Sequence, residues 1–464
     1  MSPSLDGLPA ELLGRIAEHL SDLGRPYLGN LRLTSREIHA KTMFQFGSTH
    51  FKLIFVDIHS RGFHRLGKIC QHHQFRSHVR KLQLIADRLV HWEEGSYSLL
   101  ESVDTDSSLE PVDTEHGSDS SVASVDTKYD SDSSIEHSYM EMEDDLSPEF
   151  NHTVSDFIYN GDFARYLHAC IRLLPNLEHL WIEQPHIMGD LTEPEVETLR
   201  RAWSAVTKTA LSIIRVHRIH LKGLGIENTV GPHCPPDIST LKPISSAPEL
   251  FNLMTDLHLE LYVAEDERSK SSVPALIRVL KSAKALNSLD LSFDRSTRSG
   301  QVLSAITRHV DTFPKLQKLS LSQMTLSNKV LIGFIGICKD TLQSLSLYDV
   351  ILNSGNWRDV FTFLLNELPL LQLHLIALHE GTRGLSFRAI HLERPIIDKY
   401  WFLNMHPPPN EEEFDFLQSF HFVTREVTDT SATLTDGDGE DIREWLSMLA
   451  DNYELVHIEP NLIY

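Results

Sequence analysis

Histidine is the residue type most available for chemistry here, with 26 among 464 residues. His72 and His73 with His78, and His59 with His64, sit close enough to suggest metal ligation. A zinc-type site needs cysteine or carboxylate partners at matching spacing, and none accompanies these histidines, so solvated or core-edge roles are expected. The run Asp436-Gly437-Asp438-Gly439-Glu440-Asp441 opens like a calcium loop. Its sixth position, where the turn requires glycine, is Asp441, and its twelfth, where a bidentate acid belongs, is Ser447; it reads as an acidic surface turn. No GxSxG, GxGxxG, P-loop or HExxH motif occurs. The four cysteines (Cys70, Cys170, Cys234, Cys338) are far apart in sequence without a CxxC pair, as in a reducing compartment, and are expected to be small buried apolar residues. These patterns imply no catalysis, cofactor or metal.

Composition narrows the class further. Hydrophobic residues at 41% and charged residues at 23% suit a soluble globular chain, whose length allows two or three domains. A net charge of −23 argues against nucleic acid and anionic membrane as partners. Sixteen acidic residues against one base lie between Glu101 and Glu149. Residues 93–149 therefore read as an acidic, serine-rich, disordered insertion, whose few apolar residues follow no period. Ser107, Ser133 and Ser138 each have a glutamate three residues on, which suits an acidophilic kinase. No basic-then-apolar leader opens the chain, and the longest apolar run, Val330–Cys338, is far short of the roughly 20 residues a membrane span needs. A cytoplasmic or nuclear, non-secreted protein is expected.

The elements follow from hydrophobic spacing. Leu-x-x-Leu-x-Leu recurs as Leu177/Leu180/Ile182, Leu221/Leu224/Ile226, Met254/Leu257/Leu259, Leu286/Leu289/Leu291, Leu316/Leu319/Leu321, Leu342/Leu345/Leu347 and Leu370/Leu373/Leu375. Helical patterns lie between them, as in Val273–Leu280, Val302–Val310, Val330–Cys338 and Val360–Leu368. One strand plus one helix per unit is the leucine-rich-repeat signature, in which stacking buries the apolar face each unit leaves open. An ordinary leucine-rich α/β domain is the alternative. The asparagine or cysteine expected three residues past the second strand leucine is replaced by Asp294, Met324 and Val350, which predicts an irregular solenoid with its loops satisfied otherwise. The solenoid is expected over residues 150–400 and a cap over 401–464, with a strand at Phe414–Val427 and a helix at Asp441–Leu449.

Residues 1–50 form a separate helical pattern. Pro9 suits a helix start, and Leu12, Ile16 and Leu20 recur on one face. Gly24-Arg25-Pro26 breaks the helix, and a second stretch carries Leu28, Leu31, Leu33 and, after Ser35-Arg36, Ile38. So few residues cannot bury a good core alone, so the segment either caps a larger domain or completes itself on a partner. Leu8-Pro9-x-Glu11-Leu12-x-x-x-Ile16-x-x-x-Leu20 followed by Leu28-x-x-Leu31-Arg32-Leu33-x-Ser35-Arg36 resembles the F-box, especially the form found in filamentous fungi. Residues 51–92, with the strand-like runs Phe51–Val56 and Val79–Leu84, look like the linker and first repeat that trail this motif. The resemblance implies a non-catalytic substrate-recognition subunit of an SCF-type ubiquitin ligase. It would dock on a Skp-family adaptor, and through it a cullin, by Leu8, Pro9, Leu12, Ile16, Leu20, Leu31, Arg32, Leu33 and Ile38. A leucine-rich scaffold acting outside a ligase is the second reading.

Strand alternation then locates the target. With Leu180 and Ile182 inward, His179, Trp181 and Glu183 point to the open face, and the same offset recurs in each repeat. Trp181, Glu183, Glu227, Asp256, His258, Glu260 and Asp290 are thus expected to bind a protein target of basic character, with five acids and no base among the first four repeats.

Overall fold

A computed structural model describes residues 5–23, 25–85, 154–184, 192–228, 234–263, 271–294, 296, 298–381, 383–386, 431–435 and 454–457, with six positions between 442 and 450. The acidic stretch 93–149, including Ser107, Ser133 and Ser138, and the strand expected at Phe414–Val427 lie outside the described residues.

Three helices open the chain: α1 (Ala10–Leu23), α2 (Arg25–Arg32) and α3 (Arg36–His50). Ser35 starts α3, its hydroxyl accepting from the Ile38 N–H at 3.1 Å and so satisfying one of the unpaired donors of a helix start. Leu13, Ala17, Leu28 and Ile38 fill the space between the helices. Arg32 is buried beside them. Its guanidinium lies 3.5 Å from the centre of the Phe46 ring and meets His39 Nε2 at 2.9 Å. A flat, weakly hydrated guanidinium over an aromatic face tolerates burial better than a compact ammonium would. The far end of α3 joins the rest of the molecule, where Phe51 stacks on Phe75 at 4.3 Å and Phe46 packs edge-on to Phe51 at 5.9 Å.

From there the chain is mixed α/β, with strands and helices alternating around one large, mostly parallel sheet. Its first nine strands are β1 (Leu53–Asp57), β2 (Lys81–Ile85), β3 (His179–Gln184), β4 (Gly223–Asn228), β5 (Asp256–Glu260), β6 (Ser288–Ser292), β7 (Lys318–Ser327), β8 (Ser344–Ser354) and β9 (Gln372–Ile376). Each pairs in parallel with its predecessor. Helices fill the connections, among them α4 (Ser60–Gln71) and the segments Asp162–Ile171, Glu193–Val216, Val273–Ser282, Ser299–His309, Asn328–Gly336 and Trp357–Glu367. Every Leu-x-x-Leu-x-Leu match supplies a strand. The sheet also takes in β1 and β2, and β2 pairs directly with β3 although residues 86–178 separate the two in sequence.

The alternation within each strand decides the two faces. Leu82, Leu84, Leu180, Ile182, Leu224, Ile226, Leu257, Leu259, Leu289 and Leu291 are buried among the helices, while their neighbours in the strands point the other way. After this flat stretch β7 and β8 turn a corner. Gln323 and Asp349 each adopt left-handed backbone, at φ 53° and 54°, which non-glycine residues rarely do. Each shifts the alternation by one, so Gln323–Met324 and Asp349–Val350 are consecutive buried pairs. Gln323 Oε1 accepts from the buried Ser292 hydroxyl at 3.2 Å, one of the ways in which these turns are satisfied without asparagine.

Beyond the corner β8 pairs with β10 (His379–Glu380), which leads through β11 (Arg383–Ser386) to β13 (Glu454–His457). On the flat stretch β12 (Ser431–Thr435) lies antiparallel on β9 and covers its free edge. The described positions between 442 and 450 are helical, with Ile442, Leu446 and Leu449 buried. Two cysteines distant in sequence meet across helices: the Cys70 thiol on α4 and the Cys170 thiol on Asp162–Ile171 share a hydrogen bond, which together with burial pushes the Cys70 thiol up. Among the described residues, no helix is long and apolar enough to cross a membrane.

Candidate functional site

Two surfaces carry the residues singled out in the sequence. On the helical module the expected docking set divides. Leu12 and Leu33 are 48% and 60% exposed, Ile16 and Pro9 are exposed as well, and Leu8, Leu20 and Leu31 are half-buried. Ile38 and Arg32, expected on the same surface, are 1% and 3% exposed and belong to the module's interior. Ile38 sits one turn into α3 facing α1 and α2, and Arg32 is held on Phe46, so neither can meet a partner directly. The structure adds Phe44, exposed on α3 with its edge against the His78 ring at 5.1 Å. The module's inner stripe on α1 is Leu13 and Ala17, one position on from Leu12 and Ile16.

The second surface is the open face of the sheet. Side chains of Lys81, His179, Trp181, Glu227, Asp256, His258, Asp290, Lys318, Ser320 and Ser346 line a groove of about 500 Å³ across β2 to β8. Trp181 lies flat on the neighbouring strand. A Cβ at Gly225 would meet its Cδ1 and Cε2 atoms at 2.6 Å, and one at Gly223 would meet Cζ3 at 2.9 Å. Two glycines at alternate positions of β4 thus make the bed for the indole, whose N–H donates to the Glu227 carboxylate. The exposed ring of Phe55 stands on the same rung, two strands away, with Gln83 between. Gln83 donates to Glu183.

His258 occupies the middle. Its Nδ1 lies 3.0 Å from Asp290 and 4.0 Å from Glu227. Burial alone would lower its pKa, but the Asp290 hydrogen bond and the charges of Asp290, Glu227 and Glu260 outweigh it and hold the imidazole above its ordinary value. Asp256 accepts from the Thr255 hydroxyl at 2.7 Å. Glu260, expected to face a target, is buried at 6% exposure. Past Leu259 the chain turns under, with the Leu261 N–H on Ser292 O and the Tyr262 N–H on Pro236 O, both at 2.9 Å, and Glu260 is carried in with it. Its charge still reaches His258, but its side chain is not offered to solvent. The bases of this face flank the four acidic repeats: Lys81 on β2 and Lys318 on β7 line the same groove.

His59 and His72 have structural roles. His59 starts α4, its Nδ1 accepting from the Arg61 and Gly62 N–H groups at 3.1 and 3.2 Å. His72 stacks on Phe75 at 3.9 Å. Among the described residues, no group of three or more histidine, cysteine or acidic side chains converges as a metal site.

Comparison with family models finds no match to this chain, and a search of curated proteins finds no significant relative.

Proposed function

We propose that this chain is a non-catalytic substrate-recognition subunit of an SCF-type ubiquitin ligase. In this reading the three opening helices are an F-box that docks on a Skp-family adaptor, and the strand–helix units are a degenerate leucine-rich-repeat solenoid that holds a target protein. The observation that carries the docking half is the surplus of apolar surface. The module already has an interior in Leu13, Ala17, Leu28 and Ile38, yet Leu12, Ile16, Leu33 and Phe44 remain exposed around it. Exposed apolar side chains in surplus on so small a module are characteristic of a docking surface. The open sheet face supports the solenoid half, because parallel sheets of ordinary α/β domains are covered on both faces. The ligase chemistry would reside in other subunits, and this chain would contribute effective concentration.

The test uses residues outside the module's interior. A Leu12→Ala/Leu33→Ala variant of the full chain should melt like the parent and capture a recombinant Skp-family adaptor at least about tenfold more weakly, the loss of one or two anchor residues. Capture undiminished in this variant, or absent in the parent, would overturn the docking role.

A further inference from the structure

The open face is chemically graded along its strands. Its β1–β3 end holds the aromatic rings, with Phe55 exposed and Trp181 laid over the β4 glycines, and Lys81 Nζ 6.0 Å from the centre of the indole. Over β4, β5 and β6 it becomes acidic through Glu227, Asp256 and Asp290. Lys81 on β2 and Lys318 on β7 bracket that acidic zone. Shape makes it more than a patch of charge: the groove has about 500 Å³ of volume, with the Trp181 indole laid over β4 as its aromatic floor.

We infer that this groove binds an extended peptide segment in which one arginine or lysine lies three to four residues from an apolar side chain. The cation would sit over Glu227, Asp256 and Asp290, and the apolar side chain against Trp181 and Phe55. The inference deepens the target-holding role proposed above and rests on it. Trp181 is on β3, Asp256 two strands away and Asp290 three. At about 4.8 Å per strand those steps span roughly 10–14 Å, which an extended chain covers in about three to four residues. The flanking lysines supply the exclusion: a polybasic run would set further cations against Lys81 or Lys318, so a lone cation next to an apolar residue is selected over a basic tract.

When protonated, His258 is a cation at the centre of this groove and competes with the peptide's. It faces Glu227 from β4, Asp290 from β6 and Glu260 on its own strand, with Asp256, His179, Lys81 and Lys318 lining the same groove. When protonated it neutralises Glu227 and Asp290; when neutral it leaves them to the ligand. Binding should therefore tighten as pH rises through the His258 titration.

The probe is a displayed library of short random peptides, selected on the full chain without adaptor; adaptor capture, measured separately, reports on the docking role. Enriched sequences should carry a single arginine or lysine three to four positions from an aliphatic or aromatic residue. A synthetic peptide of that pattern should bind about tenfold more weakly to an Asp256→Asn/Asp290→Asn variant and to Trp181→Ala, and should weaken with added salt on the parent protein. His258→Gln should flatten the pH dependence. Enrichment of acidic or polybasic peptides, no enrichment, or binding insensitive both to salt and to the paired aspartate variant would each overturn the inference, whatever the adaptor result.

Discussion

Replacing Trp357 with alanine is expected to cost about 3–5 kcal/mol of unfolding free energy, the range in which deletion of a fully buried aromatic ring falls. Trp357 is fully buried at the first turn of its helix, and Asn356 caps that turn by accepting from the Asp359 N–H at 2.8 Å. Three separate attachments end at this one residue. Its indole N–H donates to the His379 carbonyl at 3.0 Å, its backbone N–H to Glu380 Oε1 at 2.7 Å, and its ring stacks on Phe361 at 5.7 Å. The helix between β8 and β9 is thereby tied to β10, across the corner of the sheet. Alanine keeps the backbone bond, loses the other two and opens a cavity that helix and strand can close only by moving. Trp357→Phe separates the terms: it retains ring burial and should cost only about 1–3 kcal/mol, the loss of a buried donor together with imperfect filling. Urea unfolding of the two variants and the parent measures both. Equal midpoints for Trp357→Ala and the parent would mean that the corner is not held there.

How much of this fold is legible in the sequence depends on which physical signal each feature leaves there. The strands are readable because every repeat buries leucines at the same offset under a helix, as at Leu289 and Leu291 beneath Val273–Ser282 and its neighbours. The corners at Gln323 and Asp349 are not, since the left-handed backbone there falls on residues other than glycine and nothing local announces it. Glu260 departs from parity without such backbone: alternation points it outward, and the turn after Leu259 takes it in. In α1 the difficulty is different. Leu12/Ile16 and Leu13/Ala17 are both apolar pairs at helical spacing, and only the packing of α2 and α3 decides which pair is sealed. Residue type alone puts Arg32 at the surface, whereas its partner Phe46, fourteen positions on, makes burial tolerable. The outward set on β3 to β6 follows from alternation except at the strand ends Glu260 and Ser292, which pair with each other and are both buried. What alternation does not supply is the meaning of Gly223 and Gly225, which read as featureless strand positions until Trp181 is seen lying across them.

That arrangement predicts a mutation whose sign depends on its background. Gly225→Ala should destabilise the protein by about 1–3 kcal/mol, the usual cost of forcing extra volume into a packed contact. The new Cβ falls 2.6 Å from Trp181 Cδ1 and Cε2, inside any real carbon–carbon contact, so the indole must lift from the strand and surrender its bond to Glu227. Gly225 lies within β4 and is not among the residues with left-handed backbone, so the backbone itself has no objection to a side chain. Where native dihedrals suit alanine, replacing glycine stabilises by about 0.4–1 kcal/mol, because the unfolded chain loses freedom. In a Trp181→Ala background the clash is gone and only this second effect remains. Gly225→Ala should then be neutral or stabilising, which makes the coupling between the two positions at least as large as the cost of Gly225→Ala in the parent. Denaturant unfolding of the parent, the two single variants and the double variant measures that coupling directly. A Gly225→Ala penalty that persists without Trp181 would show that the glycine serves the backbone, and would remove the indole's bed from the account of the groove.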